Sequence, residues 1–169
     1  MKIAIISDTH DNLPNFKKAI GWVEKEKIKT IIHCGDICTS KVLKEVTKNF
    51  PGKIYLVFGN ADGARFRTTR MVCKKIIPKV ILCGEWGKIK IGGKKIAFVH
   101  SPEFARGLAS TKKYDLVFYG HTHKPWEEKI KSCRLVNPGN LAGLFYKATF
   151  AVYDTKKDKL ELRILEKLK

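Results

Sequence analysis

Four short clusters of residues able to hold metal ions punctuate this chain: SDTHDN at 7–12, GDI at 35–37, GNAD at 59–62 and GHTH at 120–123, with His100 standing between the last two. They offer two carboxylates, Asp8 and Asp36, one neutral amide, Asn60, and four imidazoles, His10, His100, His121 and His123. Oxygen and imidazole donors in that mixture suit hard or borderline divalent cations. Seven donors exceed what one tetrahedral ion needs and are enough for two ions sharing a bridging carboxylate. The chemistry a pair of ions performs best is attack of an activated water on a phosphoester. Asp36, Asn60 and His121 each follow a glycine, which lets the chain turn sharply and approach closely. Asp8 and His10, like His121 and His123, are separated by one residue, so in extended backbone both members of a pair point the same way. A single Asp-x-His carries little weight, and a single His at a strand end is more often structural. The joint occurrence of five such elements, which take up four of the chain's five histidines, is what points to a metal site.

The elements that must position these residues can be read from hydrophobic periodicity. Apolar runs at 2–7, 29–34 and 53–58 suit short buried strands, and helical stripes follow at 13–27 and 40–49. Asn12 is a candidate helix cap or substrate contact, with Pro14 in the first turn. Strand–helix alternation implies right-handed crossovers and a parallel sheet. Ligand sites of such sheets gather beyond the carboxyl ends of the strands, where every cluster lies. Residues 64–77 are basic and weakly periodic, a poor helix. Residues 86–99 read as two strands joined at Gly92-Gly93, the second ending at His100. A helix at 102–111 and a strand at 115–119 follow, and the tail from 126 onward reads as antiparallel strands. The expected fold class is α/β: two mixed sheets packed as a sandwich with helices outside, forming a single domain over 1–169.

Length, 44% hydrophobic and 30% charged residues fit one globular core. No apolar run approaches a membrane span, and the first residues lack the features of a signal peptide, so a cytoplasmic protein is expected. Five cysteines with no C-x-x-C spacing are expected to be reduced and mostly buried. The net charge is +18, and residues 63–113 carry 13 basic against 2 acidic residues. Such a field can attract nucleotides, nucleic acid or other phosphate compounds, or merely keep a surface solvated. Arg65, Arg67 and Arg70 are the expected steering residues of that segment. His33 and Asp62 are expected to orient the site rather than bind metal, and Asn137, in NPG, to form a turn near it.

The order D-x-H, G-D, G-N-x-D, H and G-H-x-H resembles the calcineurin-like metallophosphoesterase superfamily. The SDTHDN opening, the H-x-G-D form, the compact length and the late NPG at 137–139 resemble its small single-domain prokaryotic phosphodiesterase branch. The resemblance runs from residue 3 to about residue 154. It implies one ion held by Asp8, His10, Asp36 and His123 and a second held by Asp36, Asn60, His100 and His121, with Asp36 and a water as bridges. Asp36, Asn60 and His100 would carry the catalytic work. Manganese is the implied activator, with iron, zinc, nickel and cobalt as alternatives. The implied activity is divalent-metal-dependent hydrolysis of phosphodiesters. A phosphomonoesterase or nuclease with the same site, or a non-catalytic scaffold such as a retromer subunit, are the other uses of this fold. Two positions depart from the pattern. Ala61 stands where the family often has a His that contacts phosphate and assists the leaving group, and Ser101-Pro102 follow His100 in place of glycine. Activated aryl esters are therefore expected to react faster than alkyl esters.

Overall fold

A computed structural model describes residues 1–48 and 50–168. In chain order the elements are β1 (Lys2–Ile6), α1 (Leu13–Lys25), β2 (Thr30–His33), α2 (Ser40–Thr47), β3 (Lys53–Leu56), α3 (Arg65–Cys73), β4 (Val80–Leu82), β5 (Trp86–Ile91), β6 (Lys94–Val99), α4 (Pro102–Ser110), β7 (Leu116–Phe118), β8 (Trp126–Ile130), β9 (Cys133–Asn137), β10 (Thr149–Asp154) and β11 (Lys159–Ile164). Two sheets form, of order β11-β10-β1-β2-β3-β4 and β5-β6-β7-β9-β8. Both are mixed. In the first sheet β1 to β4 run parallel, β10 pairs antiparallel with β1, and β11 pairs antiparallel with β10. In the second, β6, β7 and β9 run parallel, flanked by antiparallel β5 and β8.

The alternation within β1 explains the layering. Ile3 and Ile5 face the second sheet, where they meet Phe98, Leu116, Phe118 and Val136. Ala4 and Ile6 face outward against Phe16, Ile20 and Val23 of α1 and Leu43 of α2. On the far side Ala105, Leu108 and Ala109 of α4 cover Ala97, Val99, Val117 and Leu135. Four layers result, helix–sheet–sheet–helix, each buried by period-two or helical patterning. Asn12 caps α1, its side chain accepting from Asn15 N–H at 3.1 Å, and its amide donates to Ala142 O at 3.0 Å.

Two elements left little trace in the sequence, and one expectation is corrected. Residues 64–77 do yield a helix, α3, over nine residues, despite its weak periodicity and single buried residue, Thr68. Strand β4 gave no alternation to read because it is three residues long. The tail is not wholly antiparallel: β9 lies parallel to β7, since the GHTH loop returns the chain through β8 before β9 docks. The end of the second expected helix at Asn49 lies outside the described residues.

Candidate metal centre

The carboxyl ends of β1, β2, β3, β6 and β7 meet at one edge, and all seven candidate ligands converge there. His10 Nε2 lies 3.1 Å from His123 Nε2, and His123 Nε2 lies 3.3 Å from Asp8 Oδ1. A short way across, Asn60 Oδ1 sits 2.9 Å from His100 Nε2 and 2.8 Å from His121 Nδ1. Between the two groups, Asp36 Oδ2 faces His10 Nε2 at 3.8 Å and His100 Nε2 at 3.4 Å. Its other oxygen, Oδ1, accepts the Ala61 N–H at 2.7 Å. Asp8, Asp36 and His100, and separately Asp8, His10 and His123, place donor atoms within 4.8 Å of one another.

The backbone that holds them is not extended. Asp8 (φ 52°), His10 (φ 42°), Asp36 (φ 57°), His121 (φ 71°) and His123 (φ 60°) all lie in the left-handed region. Same-side pointing of the D-x-H and H-x-H pairs thus comes from tight loops, not from continued strands. Asp, Asn and His tolerate this region better than most residues. The glycines have two functions. Gly35 turns with φ 96°, whereas Gly59 and Gly120 make room. A Cβ at Gly59 would lie 2.2 Å from Asp36 Oδ1, and one at Gly120 would lie 2.0 Å from Ser7 Oγ.

The loops are tied to each other by groups outside the seven candidate ligands. Asp62 accepts N–H groups from Asp36 (3.0 Å), Cys38 (2.7 Å) and Gly59 (2.7 Å), joining the second and third loops. His33 is fully buried; its Nδ1 accepts from Gly35 N–H at 3.2 Å, leaving Nε2–H to donate to Thr9 Oγ1 at 2.7 Å. Burial pushes its pKa down to about 3, so it is neutral. Asn137 donates to Gly120 O and Thr122 Oγ1, fixing the GHTH loop. Asn140 donates to His123 O at 3.1 Å and accepts Leu144 N–H at 2.8 Å, so the 140–146 loop is fastened over His123. No local sequence signal marked Asn140; its partner lies 17 residues away. Ser101-Pro102 starts α4, with Ser101 Oγ accepting Phe104 N–H at 3.2 Å, which accounts for their place after His100.

Asp8 and Asp36 are buried, yet among the described residues no Lys or Arg lies within 4.0 Å of either; only imidazoles do. Burial raises the Asp8 pKa. Burial also pushes Asp36 up, but the His100 hydrogen bond, the Ala61 N–H and nearby imidazoles hold it below the usual carboxylate range. His100 is lowered by burial and raised more by Asp36 and Asp8. Its Nδ1–H donates to Cys34 O at 2.8 Å, which leaves Nε2 free to coordinate. Two buried carboxylates facing free imidazole nitrogens fit divalent cations. Cys38 Sγ approaches His10 Nδ1 at 3.6 Å, but burial, then Asp11 and Asp62, push its pKa to about 11, so it is a thiol at neutral pH. All five cysteines are free.

A cleft of about 280 Å³ adjoins Asn60, His100 and His121, walled by Phe58, Pro102 and Phe104. Arg65 lines it but is not a free steering cation: it donates to Glu85 and to Gly59 O and covers the Phe58 ring at 5.3 Å. No helix in the described residues is long and apolar enough to cross a membrane.

This fold and this convergence of donors define a class. Residues 1–158 match the model of the calcineurin-like phosphoesterase superfamily domain, and the chain belongs to that superfamily. It is a phosphoester hydrolase. It is 34% identical over 169 residues to a phosphodiesterase of Methanocaldococcus jannaschii, covering 98% of this chain and 100% of that one. A solved archaeal phosphodiesterase superposes with a TM-score of 0.88 at 33% identity, covering 97% of this chain and 99% of that chain. Vacuolar protein sorting 29 of Chaetomium thermophilum shares the fold, with a TM-score of 0.68 at 15% identity and coverage of 97% and 95%.

Proposed function

We propose that this hydrolase cleaves phosphodiesters at a centre of two divalent ions, with manganese as the activator, in the cytoplasm. The observation that carries the reading is the position of Asp36 Oδ2, within 3.8 Å of imidazoles from both halves of the donor set. Asp8, His10 and His123 would hold one ion and Asn60, His100 and His121 the other. Asp36, whose Oδ2 faces both groups while its Oδ1 accepts the Ala61 N–H, would serve both. When bound, such a pair supplies Lewis acidity and a nucleophilic water at neutral pH.

The chain's own residues supply the rest. Asp62 keeps Asp36 and Asn60 in register, and the Cys34 carbonyl holds the His100 ring. The open cleft beside Asn60 and His121 receives one ester arm, its apolar wall suiting an aryl or base group. Departure of the other arm has no imidazole to protonate it. Ala61 contributes only its N–H, which is turned to Asp36, and Glu103 is held ionised by its own backbone N–H and by Ser101. The decisive experiment measures metal content and hydrolysis of bis(p-nitrophenyl) phosphate by protein stripped and reloaded with manganese, nickel, zinc or iron. Activity that returns with two bound ions supports the reading. Activity in the stripped protein, or turnover of monoesters well above diesters, overturns it.

A further inference from the structure

The strongly basic stretch seen in the sequence is divided by the fold. Arg65 is absorbed by the cleft, and Lys88, Lys90, Lys95 and Lys113 surround a separate surface on the β5–β6 hairpin. Arg67 and Arg70 lie at i and i+3 on α3, hence on one face, and Lys74 stands at its C-cap, where it lines the same groove. That face looks across the groove, of about 550 Å³, at Lys41 and Lys44 of α2, spaced i and i+3. Among the described residues none of these five cations has an acid within 4.0 Å. Elsewhere several cations do find acids: Lys2 pairs with Glu26, Lys17 with Glu45, Lys94 with Asp158, Arg106 with Glu128 and Arg134 with Glu127. Helix α3 contains no acid, and the single acid of α2, Glu45, is turned to Lys17 and Lys48. What sets this groove apart is that two rows of one sign face each other across it. Such rows repel, and a polyanion lying between them would relieve that repulsion.

A second observation narrows the polyanion. Phe66 is 81% exposed at the start of α3, four residues before Arg70 and so on the same side. An exposed ring set among cations is the combination that holds unpaired bases and their phosphates together. The groove also leads to the right place. Helix α2 begins four residues after Asp36, and α3 begins five residues after Asn60.

We propose that the groove between α2 and α3 is a docking track for single-stranded nucleic acid, with Phe66 stacking a base, so that the diesters brought to the centre are internucleotide linkages. This rests on the phosphodiesterase reading above, and the test separates the two. Metal-free protein in EDTA is titrated with a labelled oligothymidylate across a salt series, read by fluorescence anisotropy. Five phosphate contacts at about 0.7 each predict an affinity loss of roughly a hundredfold between about 50 and 200 mM salt. Substituting Lys41, Lys44, Arg67, Arg70 and Lys74 by Gln should abolish most binding and flatten that dependence. The exposed pair Arg67→Gln/Arg70→Gln alone should lower the log–log slope by about 1.4. Phe66→Ala should weaken binding by about fivefold or more with an unchanged salt slope. All these variants should hydrolyse bis(p-nitrophenyl) phosphate within about twofold of the parent. Unchanged binding in the Gln variants, or equal affinity for duplex DNA or polyglutamate, overturns the track while leaving the centre intact. Failure of reloaded protein on the aryl diester overturns the centre while leaving the track.

Discussion

Asp8, His10 and His123 lie beneath the 140–146 loop, with side-chain exposures of 0%, 22% and 11%, and Phe145 packs 5.8 Å from the His123 ring. Asn60 and His121, across the centre, are exposed and border the cleft of Phe58 and Phe104. The enclosed half is positioned mainly by main-chain bonds, Leu141 N–H to Ser7 O and Ala142 N–H to Asp8 O among them. Side chains that meet one another and solvent make up the open half. Under the proposed function the difference would give the halves different duties: the enclosed one would retain its ion, and the open one would exchange solvent for substrate. Substrate approach and product departure would both run through the Asn60–His121 side.

The comparison breaks first at Asp36, whose Oδ2 faces imidazoles of both halves. Asp36→Asn should lower turnover by about three orders of magnitude, the equivalent of several kcal/mol of lost charge stabilisation, and should deplete both ions. Elemental analysis beside steady-state kinetics tests this; loss of one ion only would assign Asp36 to a single half. The halves should also separate: His121→Ala should lose the more exchangeable ion, while His123→Ala should lose the retained one and loosen the 140–146 loop. Equal exchange rates for the two ions, measured by isotope chase, would erase the distinction.

Asp62→Ala should cost about 10- to 100-fold in kcat, as removal of a positioning partner does. Both ions should remain, because three N–H donors lose their acceptor but no ligand is removed. His33 offers a pH readout confined to the enclosed side. Its folded pKa, about 3, lies below the ordinary 6.5, so the unfolded chain takes the proton first. Stability is therefore complete above about 6.5 and falls as pH drops toward 3. Between about pH 7.5 and 5 the term amounts to about 2 kcal/mol. Urea denaturation of metal-free His33→Gln should lack that part of the pH dependence; parallel curves for parent and variant would mean His33 is already charged in the fold. The smallest effect belongs to the open half. Phe104→Ala should raise KM for aryl diesters by about fivefold, from about 1 kcal/mol of lost apolar contact, with kcat little changed.

What could be read from the chain was whatever local spacing encodes. The seven donors stood out because they cluster at the ends of short apolar runs; those runs and Gly92-Gly93 spelled out a parallel sheet and a hairpin, whereas the two-sheet sandwich rested on the family resemblance. Asp62 was legible as an orienting group from its place in GNAD, though its three donors come from two loops. The rest depends on distance in sequence. Arg65 was read as a steering cation because Glu85, its partner, lies 20 residues on. The 140–146 loop over His123 left no periodic trace, and β4 was too short to leave one. Extended backbone was assumed at the paired ligands because side-chain spacing says nothing about φ.

That left-handed backbone has an evolutionary consequence. Asp8, His10, Asp36, His121 and His123 answer two requirements at once, donor chemistry and tolerance of positive φ. A descendant that abandoned hydrolysis would be freed from the first and not from the second. Its sites should drift to Asn, Gly or Asp rather than to Val, Ile or Thr, for which this conformation costs about 1–2 kcal/mol or more per position. The outline of the centre should thus outlive its chemistry, as a ring of small polar residues around nothing.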